Sequence, residues 1–96
     1  MPSYKFTAHA QKDLQNIVDY TVNNWGDAQA DKYIDGLVEL ITSLANNPAL
    51  GARHDELRNG LLGFPYKSHK IYYTRTKAGI IISRVLHQHQ NFEKML

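Results

Sequence analysis

Residues 80–87 read IIISRVLH, and this run decides how the rest of the chain is organised. Half of its side chains are β-branched, a type enriched in strands, so it is predicted to form the strongest strand of the protein. A turn at residues 77–79 precedes it, and shorter β-like runs lie at residues 61–64 and 68–75. Three consecutive strands joined by short turns predict an antiparallel meander.

Upstream of the meander, the apolar residues follow a helical period. They recur at steps of three and four over residues 10–25 and again over residues 30–45, which predicts two amphipathic helices. Thr7 and Asp27 carry side chains suited to capping the two helix starts. Pro48 is expected to end the second helix, because proline cannot continue the hydrogen-bond ladder. The short link between the helices predicts an antiparallel hairpin.

A short alternating run at residues 3–6 adds a strand before the helices, so the element order is β-α-α-β-β-β. This order predicts an α+β fold in which the helix hairpin packs on one face of a small antiparallel sheet. The other face is expected to remain open to water or to a partner. Residues 48–59 are expected to form a loop, Trp25 to pack within the hairpin, and residues 90–96 to form one helical turn.

The composition is that of one small domain spanning residues 1–96. The chain has no cysteine, which excludes disulfides, zinc–thiolate sites, iron–sulfur clusters and cysteine nucleophiles. His87 and His89 lack a third ligand nearby in the sequence, so we expect neither a metal nor another cofactor. No apolar run approaches the roughly 20 residues of a membrane span. No signal-peptide pattern opens the chain, which predicts a cytoplasmic protein.

The two halves of the chain differ in charge. Residues 1–50 hold three lysines, no arginine and six acidic residues, a net charge of −3. Residues 51–96 hold four lysines, four arginines and three acidic residues, a net charge of +5. This asymmetry is compatible with a solvated basic face or with a polyanionic partner on one side of the fold.

A set of short motifs follows the same order as in a known family. The motifs are Trp25-Gly26 followed by Gln29, Ala30 and Tyr33; Leu44, Asn47, Pro48 and Gly51; the run DELRNGL at residues 55–61; Phe64-Pro65; Ser68-His69; Ile71-Tyr72-Tyr73; and Arg84-Val85-Leu86-His87. Together they span residues 25–87. In this respect the chain resembles the toxin half of the ParE/RelE toxin–antitoxin superfamily, and the ParE branch most closely.

The resemblance implies a fold, a partner and a target. The fold is the one predicted above, and the partner is a ParD-like antitoxin whose disordered C-terminal segment folds onto the toxin. The target is DNA gyrase, inhibited by binding rather than by catalysis, and direct nucleic-acid binding by the toxin alone is not expected. Two alternatives stay open. One is a ribosome-dependent mRNA endoribonuclease of the RelE type, and the other is a binding module without toxicity.

The candidate site residues come from the basic half. A ribonuclease needs an acid, a base and cations, for which His87, Lys70 and Glu56 are the candidates. Candidates for contact with target or antitoxin are Arg58, Lys70, Tyr72, Arg75, Arg84 and His87. Four of them have a structural alternative: an ion-pair brace for Arg58 and Arg84, sheet packing for Tyr72 and a strand-end hydrogen bond for His87.

Strand parity and helix periodicity predict which side chains face outward. Lys70 and Tyr72 should share one face of their strand, while Ile71 and Tyr73 should face the core. The solvent faces of the two helices are expected to carry Asp13, Gln15 and Asp19, and Asp31, Asp35 and Glu39. The antitoxin is expected to occupy these polar helix faces and the open or edge region of the sheet.

Overall fold

Two helices and five strands make up residues 3–90, the part of the chain that the computed structural model describes. In chain order they are β1 (Ser3–Phe6), α1 (Ala8–Trp25), α2 (Asp27–Asn46), a short 3₁₀ helix (Pro48–Leu50), β2 (Ala52–Arg53), β3 (Leu62–Tyr66), β4 (His69–Arg75) and β5 (Gly79–His87). The α+β fold is confirmed, and the element order differs from the predicted β-α-α-β-β-β by the added strand β2 and the short 3₁₀ helix. The predicted turn at residues 90–96 lies, beyond Gln90, outside the described residues.

The strands form one sheet in the order β1-β5-β4-β3-β2. The predicted antiparallel meander of β3, β4 and β5 is confirmed. Two features differ from the prediction. The expected loop at residues 48–59 contains β2, which pairs with β3 at the sheet edge. β1 pairs with β5 in parallel. Parallel strands need a long connection, and here both helices and the strands β2 to β4 lie between the two strands in the chain.

The helix hairpin covers one face of the sheet, where the main core lies. Ile71 and Tyr73 are fully buried in this core, with Leu37 and Ile41 of α2 above them. Tyr72 points to the opposite face, so the predicted strand parity is correct. That opposite face is only partly open, since residues 54–61 fold back over it.

The helix starts differ in how they are capped. The Thr7 hydroxyl oxygen accepts a hydrogen bond from the Ala10 amide at 3.1 Å, as predicted for an N-cap. The prediction for Asp27 is wrong by one position, because Gly26 is the cap of α2 and Asp27 is its first residue. Gly26 has φ of 90°, a backbone conformation that glycine adopts at least cost.

Trp25 does not pack within the hairpin. Its side chain is 71% exposed, so the prediction from helical spacing is wrong. The buried stripe of α1 ends at Thr21, one turn earlier, and Trp25 extends beyond the surface that this stripe covers. No helix within residues 3–90 is both long and apolar enough to cross a membrane.

Candidate functional site

A groove with a volume of about 790 Å³ runs between α1 and the ends of β4 and β5. We call it the α1 groove. His9 and Lys12 line it near the start of α1, and Tyr20 and Trp25 line it near the end of that helix. His87 lines it from β5. Its helix side therefore has basic residues at one end and aromatic residues at the other.

An ion pair forms the base of the α1 groove. Arg84 donates two hydrogen bonds of 2.8 Å to the carboxylate of Asp13, and the side chains are only 9% and 11% exposed. These hydrogen bonds raise the pKa of Arg84. The prediction that Asp13 belongs to the exposed face of α1 is wrong. The guanidinium of Arg84, predicted as a contact residue, is held inside the protein by this pair.

The edge of β5 that borders the groove is closed by side chains. The pairing of β1 with β5 reaches only as far as Ile82, so within residues 3–90 the last residues of β5 have no neighbouring strand on that side. The Thr7 hydroxyl donates to the Ser83 carbonyl at 2.9 Å, and the Val85 amide donates to Asp13 at 3.0 Å. Further along, the His87 amide donates to the Gln90 side chain at 2.7 Å. Three backbone groups at this edge, the Ser83 carbonyl and the amides of Val85 and His87, are therefore already hydrogen-bonded.

Two histidines lie side by side where β4 pairs with β5, on the strand side of the α1 groove. His69 and His87 are register partners with ring centroids 5.4 Å apart. The hydroxyl of Tyr33 on α2 hydrogen-bonds Nδ1 of His69. Burial and the neighbouring His87 lower the pKa of His69, and burial raises the pKa of Tyr33 to about 12. Both groups are therefore favoured in their neutral forms near pH 7.

A second group of polar side chains lies on the opposite face of the sheet. Nζ of Lys70 lies 2.7 Å from Nε2 of His54, and Nδ1 of His54 lies 3.2 Å from a carboxylate oxygen of Glu56. The Lys70 ammonium is also 5.4 Å from the centre of the Tyr72 ring. Because an ammonium only donates, Nε2 of His54 must accept and its proton must lie on Nδ1, facing Glu56. We call these four residues and Gly63 the outer-face cluster.

Gly63 makes room for this cluster. A Cβ at this position would lie 2.8 Å from Cε of Lys70 and 3.0 Å from Cδ2 of His54. The contact between Lys70 and His54 therefore passes directly over the glycine. Sequence reasoning missed both His54 and Gly63, because their proximity depends on the pairing of β2 with β3. The only local signal was that His54 lies two residues before Glu56.

The structure separates the residues predicted for RNA cleavage. Lys70 and Glu56 meet through His54 on the outer face. His87 lies beside His69, on the side of the sheet that faces the helices. Lys70 pairs with Leu86 instead, so Lys70 and His87 point to opposite faces. Within residues 3–90, no group of three or more histidine, cysteine or acidic side chains could hold a metal ion.

The remaining predicted contact residues lie near the outer-face cluster or at the sheet end. Arg58 is exposed in the segment that covers the outer face, and its amide donates to the His54 carbonyl at 3.2 Å. Arg75 ends β4 and lines a smaller cavity of about 360 Å³ together with Arg53 and Asp55. The hydrogen bond from the Gly60 amide, followed by the Arg53 contact, lowers the pKa of Asp55. This end of the sheet is thus rich in arginine.

The fold is that of the toxins of toxin–antitoxin pairs. A chain of the chromosomal ParDE system from P. aeruginosa superposes with a TM-score of 0.75 and 25% identity, over 91% of this chain and 96% of that one. A chain of the YoeB-YefM complex from Staphylococcus aureus superposes with a TM-score of 0.60 over 93% of this chain and 99% of that one. At 18% identity this second likeness concerns the fold alone.

The sequence places the chain within one family of this class. The family model described as the ParE toxin of type II toxin-antitoxin system, parDE, matches residues 4–92, and the chain belongs to this family. Toxin ParE1 of Mycobacterium tuberculosis is 36% identical over 94 residues, which are 97% of this chain and 96% of that protein. Toxin ParE1 of Caulobacter vibrioides is 34% identical over 91 residues, which are 95% and 94% of the two chains. The resemblance stated from the motifs is confirmed.

Proposed function

We propose that this chain, acting as a single domain in the cytoplasm, inhibits DNA gyrase by binding to it and is neutralised by a ParD-like antitoxin. Membership of the ParE toxin family over residues 4–92 supports the toxin role. The presence of a ParDE chain among its structural neighbours supports an antitoxin partner. The gyrase target rests on the resemblance to the ParE branch.

The observation that carries the binding mechanism is the separation of the polar residues. Cleavage of RNA through its 2′-hydroxyl requires an acid, a base and cations around one phosphate. Lys70 and His87 point to opposite faces of the sheet, and Arg84 is held by Asp13 at the base of the α1 groove. The predicted residues therefore cannot surround one phosphate, which favours binding over catalysis.

We place the target contact on the outer face. Lys70 is held by His54 and lies over Tyr72, so little side-chain entropy is lost when a partner binds its ammonium. Arg58 lies in the covering segment, and Arg75 lies at the arginine-rich end of the same sheet. Burial and Glu56 raise the pKa of Tyr72, so its hydroxyl remains a donor at neutral pH. This surface offers a positioned lysine ammonium, with arginines nearby, to an acidic patch of the target.

Purified gyrase tests the proposal directly. The chain is expected to inhibit supercoiling of relaxed plasmid at micromolar concentration and to trap the cleaved DNA complex. Absence of both effects at that concentration would contradict the gyrase assignment. A parallel cell-free translation reaction, examined for mRNA fragments, distinguishes the toxin mechanism from the ribonuclease alternative.

One observation favours a revised form of the ribonuclease alternative. The outer-face cluster holds a histidine between a carboxylate and an ammonium, a combination that could exchange protons with RNA. In that case His54 replaces His87: the pair His54 and Lys70 removes the 2′-hydroxyl proton and protonates the leaving 5′-oxygen, and a cyclic phosphate forms. Cleavage abolished by His54→Ala and retained by His87→Ala would support this alternative, and equal cleavage by both variants would exclude it.

A further inference from the structure

The outer-face cluster places a lysine beside a group that can take its proton. Nζ of Lys70 lies 2.7 Å from Nε2 of His54, and Nδ1 of His54 lies 3.2 Å from a carboxylate oxygen of Glu56. The order of groups is therefore carboxylate, imidazole and nucleophile, the order that activates the hydroxyl of serine hydrolases. A lysine that serves only as a point charge needs no such proton acceptor beside it.

The tautomer of His54 suits it to accept a proton from Lys70. Its Nε2 directs a lone pair at the Lys70 nitrogen, and its Nδ1–H faces Glu56. When Nε2 takes up a proton, the imidazolium that forms lies beside an anionic carboxylate, which stabilises it. The side chains of His54 and Glu56 are 20% and 63% exposed. The histidine is therefore sheltered, while the carboxylate that orients it remains in contact with water.

The remaining neighbours hold the Lys70 nitrogen in one place. The ammonium lies 5.4 Å from the centre of the Tyr72 ring. The end of the side chain passes over Gly63, where a Cβ would lie only 2.8 Å from Cε of Lys70. The hydrogen-bond partner of this nitrogen in the cluster is an imidazole rather than a carboxylate. A nucleophile fixed beside a base loses little entropy on reaching the geometry of attack.

We propose that Lys70 is a site of acylation by small acyl phosphates, with His54 as the proton acceptor. The donor must be small, because Lys70 is half-buried within the cluster. After the ammonium has lost one proton to water, the amine attacks the carbonyl carbon and a C–N bond forms. The nitrogen then gives a second proton to Nε2 of His54, and the bond between the carbon and the phosphate oxygen breaks. His54 passes that proton to the departing phosphate, so the products are the amide, hydrogen phosphate and one proton.

Acylation changes the surface that the proposed function assigns to the target. The amide carries no charge, and it loses the cation–π contact with Tyr72. This consequence rests on the proposed function, because it takes the outer face as the contact with gyrase. The modification therefore lowers inhibition of the target by removing the positioned cation, while the core beneath the sheet stays as it is.

Site-resolved mass spectrometry of the folded chain tests the acylation. The chain is incubated with acetyl phosphate and digested, and the acetylated fraction is followed at each lysine. Lys32 is the internal reference, because it is exposed on α2. We expect Lys70 to react at least about fivefold faster than Lys32 in the folded chain, and within about twofold of it in concentrated urea. A Lys70 that reacts no faster than Lys32, or a preference that survives in urea, would overturn the proposal.

Two variants test the role of His54, each after cooperative unfolding in urea has shown that it folds. Glutamine in His54→Gln can still accept a hydrogen bond through its amide oxygen, but it does not take up a proton. We expect the rate at Lys70 to fall to within about twofold of that at Lys32. Gly63→Ala keeps every polar group and displaces the contact between Lys70 and His54, so it is expected to lower the rate at Lys70 as well. An unchanged preference for Lys70 in either variant would overturn the role of His54.

The acetylation and gyrase assays fail independently. Preferential acetylation of Lys70 in a chain that does not inhibit gyrase would leave the acylation site intact and contradict the target. Inhibition of gyrase by a chain whose Lys70 reacts no faster than Lys32 would leave the target intact and contradict the acylation site. In chains acetylated to increasing extents, we expect inhibition to fall with the occupancy of Lys70 rather than with that of Lys32. Inhibition that persists at full occupancy of Lys70 would overturn the proposed effect on the target.

Discussion

The two faces of the sheet present surfaces of different construction. The α1 groove is concave, has exposed aromatic rings at one end and is built over the buried pair of Asp13 and Arg84. The outer-face cluster is polar, and its histidine is held between Lys70 and Glu56. The basic half of the chain therefore does not form a single basic face. Arg84 stabilises the fold at the base of the groove, whereas Lys70 lies on the outer face, where a partner can reach it.

Two aspartate–arginine pairs illustrate this division. In the groove, the Arg84 and Asp13 side chains are 9% and 11% exposed, and the carboxylate also accepts from the Val85 amide. At the other end of the sheet, Arg53 and Asp55 have the same 2.8 Å separation but are 80% and 39% exposed. Water screens the second pair and hardly reaches the first. The same chemistry therefore stabilises the fold in one place and leaves an accessible arginine in the other.

The largest expected effect follows from this difference. Arg84→Ala leaves the Asp13 carboxylate largely buried, with the Val85 amide as its remaining partner within residues 3–90, and is expected to lower the free energy of unfolding by about 3 kcal/mol. Arg53→Ala, the matched exposed variant, is expected to cost less than about 1 kcal/mol. Urea unfolding of both variants measures the difference. Equal losses would show that the Asp13–Arg84 pair is no more important than a surface contact.

Gly63→Ala tests the outer-face cluster without removing any of its polar groups. The added Cβ overlaps the ends of two flexible side chains, so we expect a loss of about 1 to 2 kcal/mol in the free energy of unfolding. The contact between Lys70 and His54 should be displaced, and inhibition of gyrase supercoiling should weaken by several-fold. Unchanged inhibition by a folded Gly63→Ala chain would show that the position of Lys70 does not matter for the target.

A smaller effect concerns pH on the groove side. The folded pKa of His69 is lowered from 6.5 by burial and His87, so the unfolded chain binds more protons than the folded protein just below pH 6.5. Stability from this group is therefore complete above pH 6.5 and is lost as pH falls through the folded pKa. His69 contacts Tyr33 and Ser68 as well as His87.

Urea unfolding between pH 5 and pH 8 measures this dependence, with His69→Gln as the comparison. The variant is expected to flatten the fall in stability below pH 6.5. Asp55 does not titrate between pH 5 and pH 8, because its pKa is lowered from 3.8. Its contribution to stability is therefore lost only at more acidic pH than the range measured. An identical pH dependence in the two proteins would show that His69 is not the group responsible.

The smallest expected effect is that of Trp25→Ser. An exposed side chain that contributes nothing to the core should change the free energy of unfolding by less than about 0.5 kcal/mol. A loss above about 1.5 kcal/mol in urea unfolding would indicate that Trp25 packs within the fold after all.

Periodicity predicted the parts of the fold that depend on burial of whole stripes and faces. The alternation of Ile71, Tyr72 and Tyr73 placed each side chain on the correct face of β4. Thr7 was predicted as a cap because the interaction is local, between residues three apart. Such features need only the sequence near them.

The remaining features depend on contacts between distant residues. Asp13 has the spacing of an exposed helix residue. Its side chain nevertheless contacts β5, because the pairing of β1 with β5 stops at Ile82 and the Val85 amide further along β5 donates to the Asp13 carboxylate instead. His54 carries no recognisable motif, and it becomes part of a cluster through contact with Lys70, 16 residues away. Trp25 fits the apolar stripe of α1 in sequence but lies past the end of its buried part. Pairwise contacts of this kind are not visible in periodicity.

We propose that the outer face of this ParE-family toxin contacts gyrase through a positioned cation, the Lys70 ammonium. Inhibition of gyrase supercoiling by Lys70→Glu and by Lys32→Glu, measured side by side with the unaltered chain, tests it most directly. The two variants change the net charge equally at positions on β4 and α2. We predict that Lys70→Glu needs at least about tenfold more protein for half inhibition, whereas Lys32→Glu matches the unaltered chain. Equal inhibition by all three proteins would show that Lys70 does not contact gyrase.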